Sequence, residues 1–493
     1  MRSHSRVSAE APLCLLGPPV GTIVFLWVTR ASPVTTVGVL YAFLLLLFPW
    51  VSFLSWRQQK RGGLPVFAML GFVYWWWFAI GMFWLERTHS LRRRIIDTEN
   101  VDGAILLALV GVVCMGVGMR VRVTPLPPSR HLELDDKQTS WHYVRFVLVA
   151  TTLVSLVPGA NSILGAAGRQ IMEILISTVP AVALLLLLRQ CLTDKGSMLD
   201  RTLLWVYFPV RIVFGLGSGW LGSVVGVGFT CGVMYFLVRR KIPLTMVAVS
   251  VVAVLFLQVG KKEFRNSYWE HGEAAGVLDR ATSWLNASAS KWSEALHSTG
   301  SDSTGQLSSE SLERTSLLPQ VSHVLAVTPS QIPFQDGQTY SYMATALIPR
   351  FVWPDKPSVN DANRYYQLAF GLSKARDVNG VNIGAGCLAE AYINFGWPGV
   401  ICIMFAIGII LGFYERSFLA KDSSTLFLAI GVALLPGILG IEAQMSAYLG
   451  GVIQTVLLTI LVFLPVLRRP AKNRRDKPLP ATVMAAMRVR PSL

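Results

Sequence analysis

The chain has 493 residues, of which 53% are hydrophobic and 15% charged, with a formal net charge of +16 and a mean hydropathy of +0.50. That balance excludes a water-soluble globular domain and fits a polytopic membrane protein. The basic excess does not indicate nucleic acid, because it lies in short segments between apolar runs and forms no basic patch on a soluble domain.

A hydrocarbon core of about 30 Å needs about 20 apolar residues per crossing helix. Such runs fall near 12–29, 34–55, 64–85, 101–119, 143–159, 170–188, 201–216, 219–238, 242–259, 398–415, 423–441 and 446–467. The expected fold class is an all-α polytopic membrane protein with about 12 transmembrane helices and one large, partly helical extracytoplasmic loop. Residues 1–259 form the N-terminal membrane block, 260–397 the loop, 398–467 the C-terminal membrane block and 468–493 a basic tail. The first run follows Met-Arg-Ser-His-Ser-Arg but lacks a small-residue cleavage site, so it reads as an uncleaved helix.

Cytoplasmic segments carry the Lys and Arg excess. Placing the N-terminus inside puts Arg57, Lys60, Arg61, Arg120, Arg122, Arg130, Lys137, Arg189, Lys195, Arg239, Arg240, Lys241, Arg416 and Lys421 on the cytoplasmic side, with the tail. Both termini are then cytoplasmic and the long loop is outside. The outer cluster Arg92, Arg93 and Arg94 is the exception. The loop holds 11 Lys and Arg against 13 Asp and Glu, so the positive charge belongs to the cytoplasmic face, where anionic lipids attract it. Five of the six cysteines lie in or beside apolar runs and only Cys387 is in the loop, which gives neither a disulfide framework nor zinc spacing. No internal repeat is visible, so the sequence lends nothing to a transporter of two inverted halves.

Arg211 sits inside the run Trp205 to Gly222, next to Pro209 and several glycines. A charge at mid-membrane costs at least about 2.5–3.5 kcal/mol, so such an arginine faces a cavity or partner, here a phosphate, unless it snorkels to an interface. Lys261, Lys262 and Arg265 follow the ninth run at headgroup level. Within the loop, 286–311 is rich in Ser, Thr and Gly and reads as a mobile linker. The segment TYSYMATALIPRF then predicts a short amphipathic helix ended by Pro349, with Tyr340, Met343, Ala346 and Leu347 on one face. In FVWPDKP two prolines stiffen the backbone that presents Arg350, Asp355 and Lys356. Arg314, Arg350, Lys356 and Arg364 would make an anion site if they fold together, since guanidinium forks suit a diphosphate. Candidate bases are Asp336, Asp355, Asp361, Asp377 and Glu390. Glu390 follows the small-residue run NIGAGCLA and precedes AYINFGWPG at the tenth span, where partial desolvation would raise its pKa; an interfacial helix-start carboxylate is the plainer reading.

No nucleotide-binding glycine loop, no H-E-x-x-H and no paired-aspartate motif is present in the loop, which disfavours an ATP-driven pump, a metal-dependent hydrolase and a nucleotide-sugar transferase. The stretch TPSQIPFQDGQTYSYMATALIPRFVWPDKP and the later GCLAEAYINFGWPGVICIMFAIGIILG resemble the Wzy-like polymerases of bacterial O-antigen and exopolysaccharide repeat units. The resemblance covers about Thr328 to Gly412, with a looser echo in GKKEFRNSYW. It implies a multi-pass inner-membrane enzyme that joins oligosaccharide units carried on undecaprenyl diphosphate, on the outer side, with chain-length regulator and flippase proteins as further partners beside membrane lipids. No cofactor and no metal is implied. By position, Arg350, Pro354, Asp355, Lys356 and Pro357 match the first motif, and Glu390, Tyr392, Asn394, Phe395 and Gly396 the second, with Arg265 a looser match. Many relatives have a serine followed by arginine where this chain has GSG around Ser218, and the nearest basic residue is Arg211.

Breaking an anomeric C–O bond leaves negative charge on the diphosphate, which preplaced guanidinium groups stabilise. The expected catalytic set is therefore Arg350, Asp355 and Glu390, with Arg211, Arg265, Lys356, Arg364, Tyr365, Tyr366, Tyr392 and Asn394 binding substrate. Tyr365 and Tyr366 are the favoured sugar-stacking rings among the loop aromatics, although Trp and Tyr also collect at interfaces without a ligand. A lipid-linked oligosaccharide flippase would want charges lining many spans, and a polysaccharide ligase shares the same membrane plan and chemistry.

Overall fold

A computed structural model describes residues 10–30, 32–58, 63–84, 100–157, 159–160, 163–270, 275–297, 316–348, 353, 355–358, 360–375, 378 and 383–468. Among the described residues the protein is 78% helical with almost no sheet. In chain order the helices are α1 Glu10–Val28, α2 Thr36–Gln58, α3 Val66–Trp75, α4 Val101–Arg120, α5 Gln138–Leu156, α6 Gly165–Leu192, α7 Met198–Ser218, α8 Leu221–Arg239 and α9 Leu244–Arg265. They continue as α10 Val277–His297, α11 Leu318–Val327, α12 Gln338–Leu347, α13 Asp361–Ala369, α14 Gly386–Phe418, α15 Thr425–Leu439, α16 Met445–Gly450 and α17 Val452–Phe463. Among the described residues seven helices are long and apolar enough to cross a membrane: α2, α4, α6, α8, α9, α14 and the run Met445–Val466. Charge and length separate two of the other expected runs from these seven. The 201–216 run lies in α7, whose first turn carries Asp200 and whose middle carries Arg211, and α15 has only 15 residues.

The centre of the bundle is the crossing of α4 and α14. Gly408 and Gly412 on α14 press against the α4 backbone at Met115 and Met119, and Gly118 on α4 presses against Phe405. Small residues allow two helix backbones to approach to van der Waals contact, which replaces the hydrophobic drive that lipid removes. Around this seam Leu107, Met115, Leu388, Met404 and Phe427 are fully or almost fully buried.

The helix ends sort into two groups. At one end, the Leu126 N–H donates to Ser417 Oγ at 3.0 Å, the Ser424 N–H donates to the Ser129 carbonyl at 2.8 Å and Arg416 donates to the Val121 carbonyl at 2.7 Å. A two-residue antiparallel ladder there pairs β1 Glu133–Leu134 with β2 Leu467–Arg468. Arg57, Arg130, Arg145, Arg239, Arg240 and Lys421 gather at this basic end. At the opposite end the Ser32 N–H donates to the Phe83 carbonyl, the Leu317 N–H to that of Trp77 and the Gly386 N–H to that of Glu442.

The described parts of the 260–397 segment are largely helical. Residues 286–297 of the expected linker belong to α10, which packs on α7 and α9: Trp284 is fully buried and its indole N–H donates to the Leu257 carbonyl at 2.9 Å. Ala281, Trp284, Ala287 and Ser288 repeat at helical spacing on the buried side, so the Ser and Ala there are small packing residues. The rest of that linker lies outside the described residues. Leu317, Leu318, Val321 and Val324 likewise make α11 a buried apolar helix against α4.

Candidate functional site

The tenth apolar run and the second motif form one helix with a break. Gly396 has φ 62° and ψ −150°, a region open essentially to glycine alone, and Pro398 removes the next amide donor but one. The bend separates a short buried helix, 386–395, from the long segment that follows. Gly384 and Gly386 approach the backbone of Glu442 and Ile441 too closely for a side chain, which accounts for the small-residue run before Glu390.

Glu390 and Asn394 lie four residues apart on one face of the short helix. One Glu390 oxygen accepts from the Thr339 hydroxyl at 2.8 Å and the other from the Met445 N–H at 2.6 Å, the first amide of α16. Asn394 Nδ2 donates to Thr339 Oγ1 at 2.7 Å and to the Glu390 carbonyl at 2.8 Å, and its Oδ1 accepts from the Gly337 N–H at 3.0 Å. Glu390 is 2% exposed and Asn394 0%. The two residues therefore tie α12, α14 and α16 together, and a substrate does not reach the Glu390 carboxylate in this arrangement.

A second buried polar chain meets the first at the start of α16. Asn363 Nδ2 donates to the Gln444 side-chain oxygen at 3.1 Å and to the Ile383 carbonyl at 3.0 Å, Gln367 donates to Asn363, and Ser373 donates to Gln367 at 2.8 Å. Lys356 is also buried, and its ammonium donates to the Thr345 and Ile348 carbonyls at 3.2 and 2.6 Å, capping the C-terminal end of α12. Lys261, at the end of α9, interacts electrostatically with Glu442 in the same junction.

Above this network the bend presents aromatic rings. Tyr340 stacks on Phe395 with centroids 6.2 Å apart, and Tyr392 meets Phe334 and Trp397 edge to face at 6.1 and 6.2 Å. Phe395 and Trp397 are exposed, at 41% and 36%. The Tyr340 hydroxyl is buried without a hydrogen-bond partner, and burial together with the Glu390 charge pushes it well above its ordinary pKa.

The other expected site residues are distributed unevenly. Asp355 is exposed on the turn between α12 and α13. Arg364 is exposed and pairs with Asp361 at 3.0 Å. Arg265 is half-buried, its guanidinium 5.6 Å from the centroid of the Trp220 ring. Arg211 is half-buried in mid-α7. Tyr365 is partly buried against the core. Tyr366 is a core ring, 2% exposed and 5.1 Å from Phe370, with its hydroxyl pushed up by burial, so no face of it is open to a pyranose. Arg350 lies outside the described residues, as do Arg314 and Asp377. Sequence reasoning missed Thr339, Asn363, Gln367 and Gln444, polar residues of ordinary appearance whose partners come from other segments.

Among the described residues no group of three His, Cys, Asp or Glu is placed to hold a metal ion. The geometry defines a helical membrane-type protein with a loop unit docked on the end away from Arg57, Arg240 and Lys421. The chain belongs to the family described as a domain of unknown function, DUF8712, whose model matches residues 107–433 and so covers both motifs and the α4–α14 seam. No curated protein and no solved structure matches the chain.

Proposed function

We propose that this protein is a polysaccharide polymerase that joins oligosaccharide units carried on undecaprenyl diphosphate, acting at the outer face of a bacterial inner membrane it crosses about twelve times. The observation that carries the reading is the unit built by the two motifs: a buried carboxylate network beneath exposed aromatic rings at the Gly396 bend, on the end of the bundle opposite the basic loops. Exposed Phe395 and Trp397 suit a sugar face that must bind and slide, while the packed network beneath keeps the rings in place.

In the reaction, a hydroxyl oxygen of the acceptor unit attacks the anomeric carbon of the growing chain. The anomeric C–O bond to phosphate breaks, and the lipid diphosphate leaves with the electron pair. The hydroxyl proton passes to a carboxylate and then to water. Of the two carboxylates in the motifs, Asp355 is exposed and is the proton acceptor, whereas Glu390 uses both oxygens within the protein and is a positioning residue. Arg350 and Arg265 neutralise the leaving diphosphate, with Arg211 and Arg364 as further cations and Lys356 shaping the turn that presents Asp355.

The test is a deletion strain complemented with variants, read by its lipid-linked intermediates. Single units retained on the lipid support the polymerase. Long polymer retained on the lipid would mean a ligase, and units trapped on the inner face a flippase.

A further inference from the structure

At the basic end, α2, α3, α8 and α9 enclose an elongated groove of about 1080 Å³. Its walls are apolar, from Phe53 and Met69 to Phe229, Phe236 and Met246. Its rim carries Arg57 at the end of α2, Arg240 just past α8 and Lys421 between α14 and α15. Along α8 the lining runs from Val225 to Arg240, about 22 Å at 1.5 Å per residue, longer than the roughly 15 Å of hydrocarbon in one leaflet. The volume lies at the upper limit of the pockets that hold small ligands, about 300–1,000 Å³.

Two features keep this space open. Gly228 and Gly232 line it without side chains, and a Cβ on either would meet nothing nearer than 3.7 and 3.8 Å. The N-terminal part of α9 is apolar and uncovered beside it, with Ile242 62%, Leu244 72% and Val251 52% exposed. The groove therefore opens sideways to surroundings that, in a membrane, are acyl chains.

Charge decides the class of occupant. Arg57, Arg240 and Lys421 have no ion-pair or side-chain hydrogen-bond partner among the described residues, although Arg130 and Arg239 at the same end pair with Asp422 and Asp194 at 2.8 and 3.3 Å. No Asp or Glu is among the groove's described lining residues. Arg240 occupies a left-handed backbone position, φ 56°, where glycine is usual, so the chain places a cation there at some conformational cost.

We propose that this groove is a binding site for an anionic phospholipid, with acyl chain along α8 and α9 and the headgroup phosphate between Arg57, Arg240 and Lys421. The site lies at the opposite end of the bundle from the motif unit and does not depend on the glycan-transfer reading. Three cations at about a tenfold or lesser effect each give a preference for anionic over zwitterionic lipid on the order of 10².

The test uses the full-length protein in detergent with added dioleoyl phosphatidylglycerol, dioleoyl phosphatidylcholine or glycerol 3-phosphate, read by thermal stabilisation and native mass spectrometry. Phosphatidylglycerol is expected to stabilise and to remain bound, phosphatidylcholine to do so only at far higher concentration, and glycerol phosphate to have no effect. Arg57→Gln/Arg240→Gln/Lys421→Gln should lose the preference between the two lipids, and Gly232→Leu should weaken binding of both by filling the groove. Equal stabilisation of the wild-type protein by both phospholipids, an equal effect of free glycerol phosphate, or an unchanged preference in the triple variant would overturn the proposal. The wild-type comparison decides even if a variant fails to fold.

Discussion

Replacing Glu390 separates its structural from its chemical role. The carboxylate accepts from Thr339 at 2.8 Å and from the Met445 N–H at 2.6 Å. Alanine removes both acceptors and strands two buried donors, each costing about 1–3 kcal/mol, and leaves a small cavity, for a total of about 3–6 kcal/mol. Glutamine fits the same volume. Its oxygen must face the Met445 N–H, because that amide can only donate, and its NH₂ then donates to Thr339 Oγ1. That oxygen already accepts from Asn394 at 2.7 Å but has a second lone pair. Only the Thr339 hydroxyl proton loses its acceptor, so the expected cost is about 1–2 kcal/mol. The assay is unfolding of purified protein in detergent, by tryptophan fluorescence on heating and by titration with a denaturing detergent. The expected order is wild type, then glutamine, then alanine, with alanine well separated. An alanine variant within about 0.5 kcal/mol of wild type would show that the carboxylate does not hold α12, α14 and α16 together.

Gly396→Ala should lower the melting temperature markedly, because its backbone angles are open essentially to glycine and the new Cβ would meet the Phe334 ring at 3.1 Å; Gly371→Ala, with φ 67° but open space around it, should cost less in the same melt. Arg145→Ala should cost about 3–5 kcal/mol, since Asp200 is 1% exposed and takes two bonds from Arg145 at 2.6 and 3.1 Å. Burial alone would raise the Asp200 carboxyl, but Arg145 and Ser197 outweigh it and hold the group below its ordinary range. Its stabilisation is therefore complete above about pH 4 and is lost as pH falls through the lowered folded value, and an Asp200→Asn variant should lack that acid-dependent part of the melting curve. Gly408→Leu should separate α4 from α14 and abolish folded protein, which size-exclusion of a fluorescent fusion would report. Asp355→Asn should leave stability within about 0.5 kcal/mol and remove glycan transfer, since the side chain is exposed.

Much of the architecture was legible because apolar length and helical period are local properties. The helix over 338–347 follows from residue spacing and the proline after it, whereas the small residues before Glu390 stand out in the sequence without showing that Gly384 and Gly386 meet the backbone of Glu442 and Ile441. The seven long apolar helices all fall on predicted runs. What could not be read is long-range pairing. Glu390 and Asn394 suggest a shared helix face, but their partners Thr339 and Met445 are 51 to 55 residues away, and Asn363 meets Gln444 across 81. The same pairing changes the reading of Glu390 from an interfacial base to a buried tie, and of Lys356 from an anion binder to a helix cap. Tyr366 looked like its neighbour Tyr365 because sequence does not tell which side of a short helix is covered. Residues 286–297 looked like linker because serine and alanine serve equally in loops and at close helix contacts.

Purified protein reconstituted in liposomes, supplied with lipid-linked units extracted from the deletion strain, shows whether this chain alone joins the units. A ladder of lengthening lipid-linked glycan is expected, retained in a folded Glu390→Gln variant at reduced rate and absent in Asp355→Asn. Single units that remain unjoined with well-folded wild-type protein would contradict the polymerase reading.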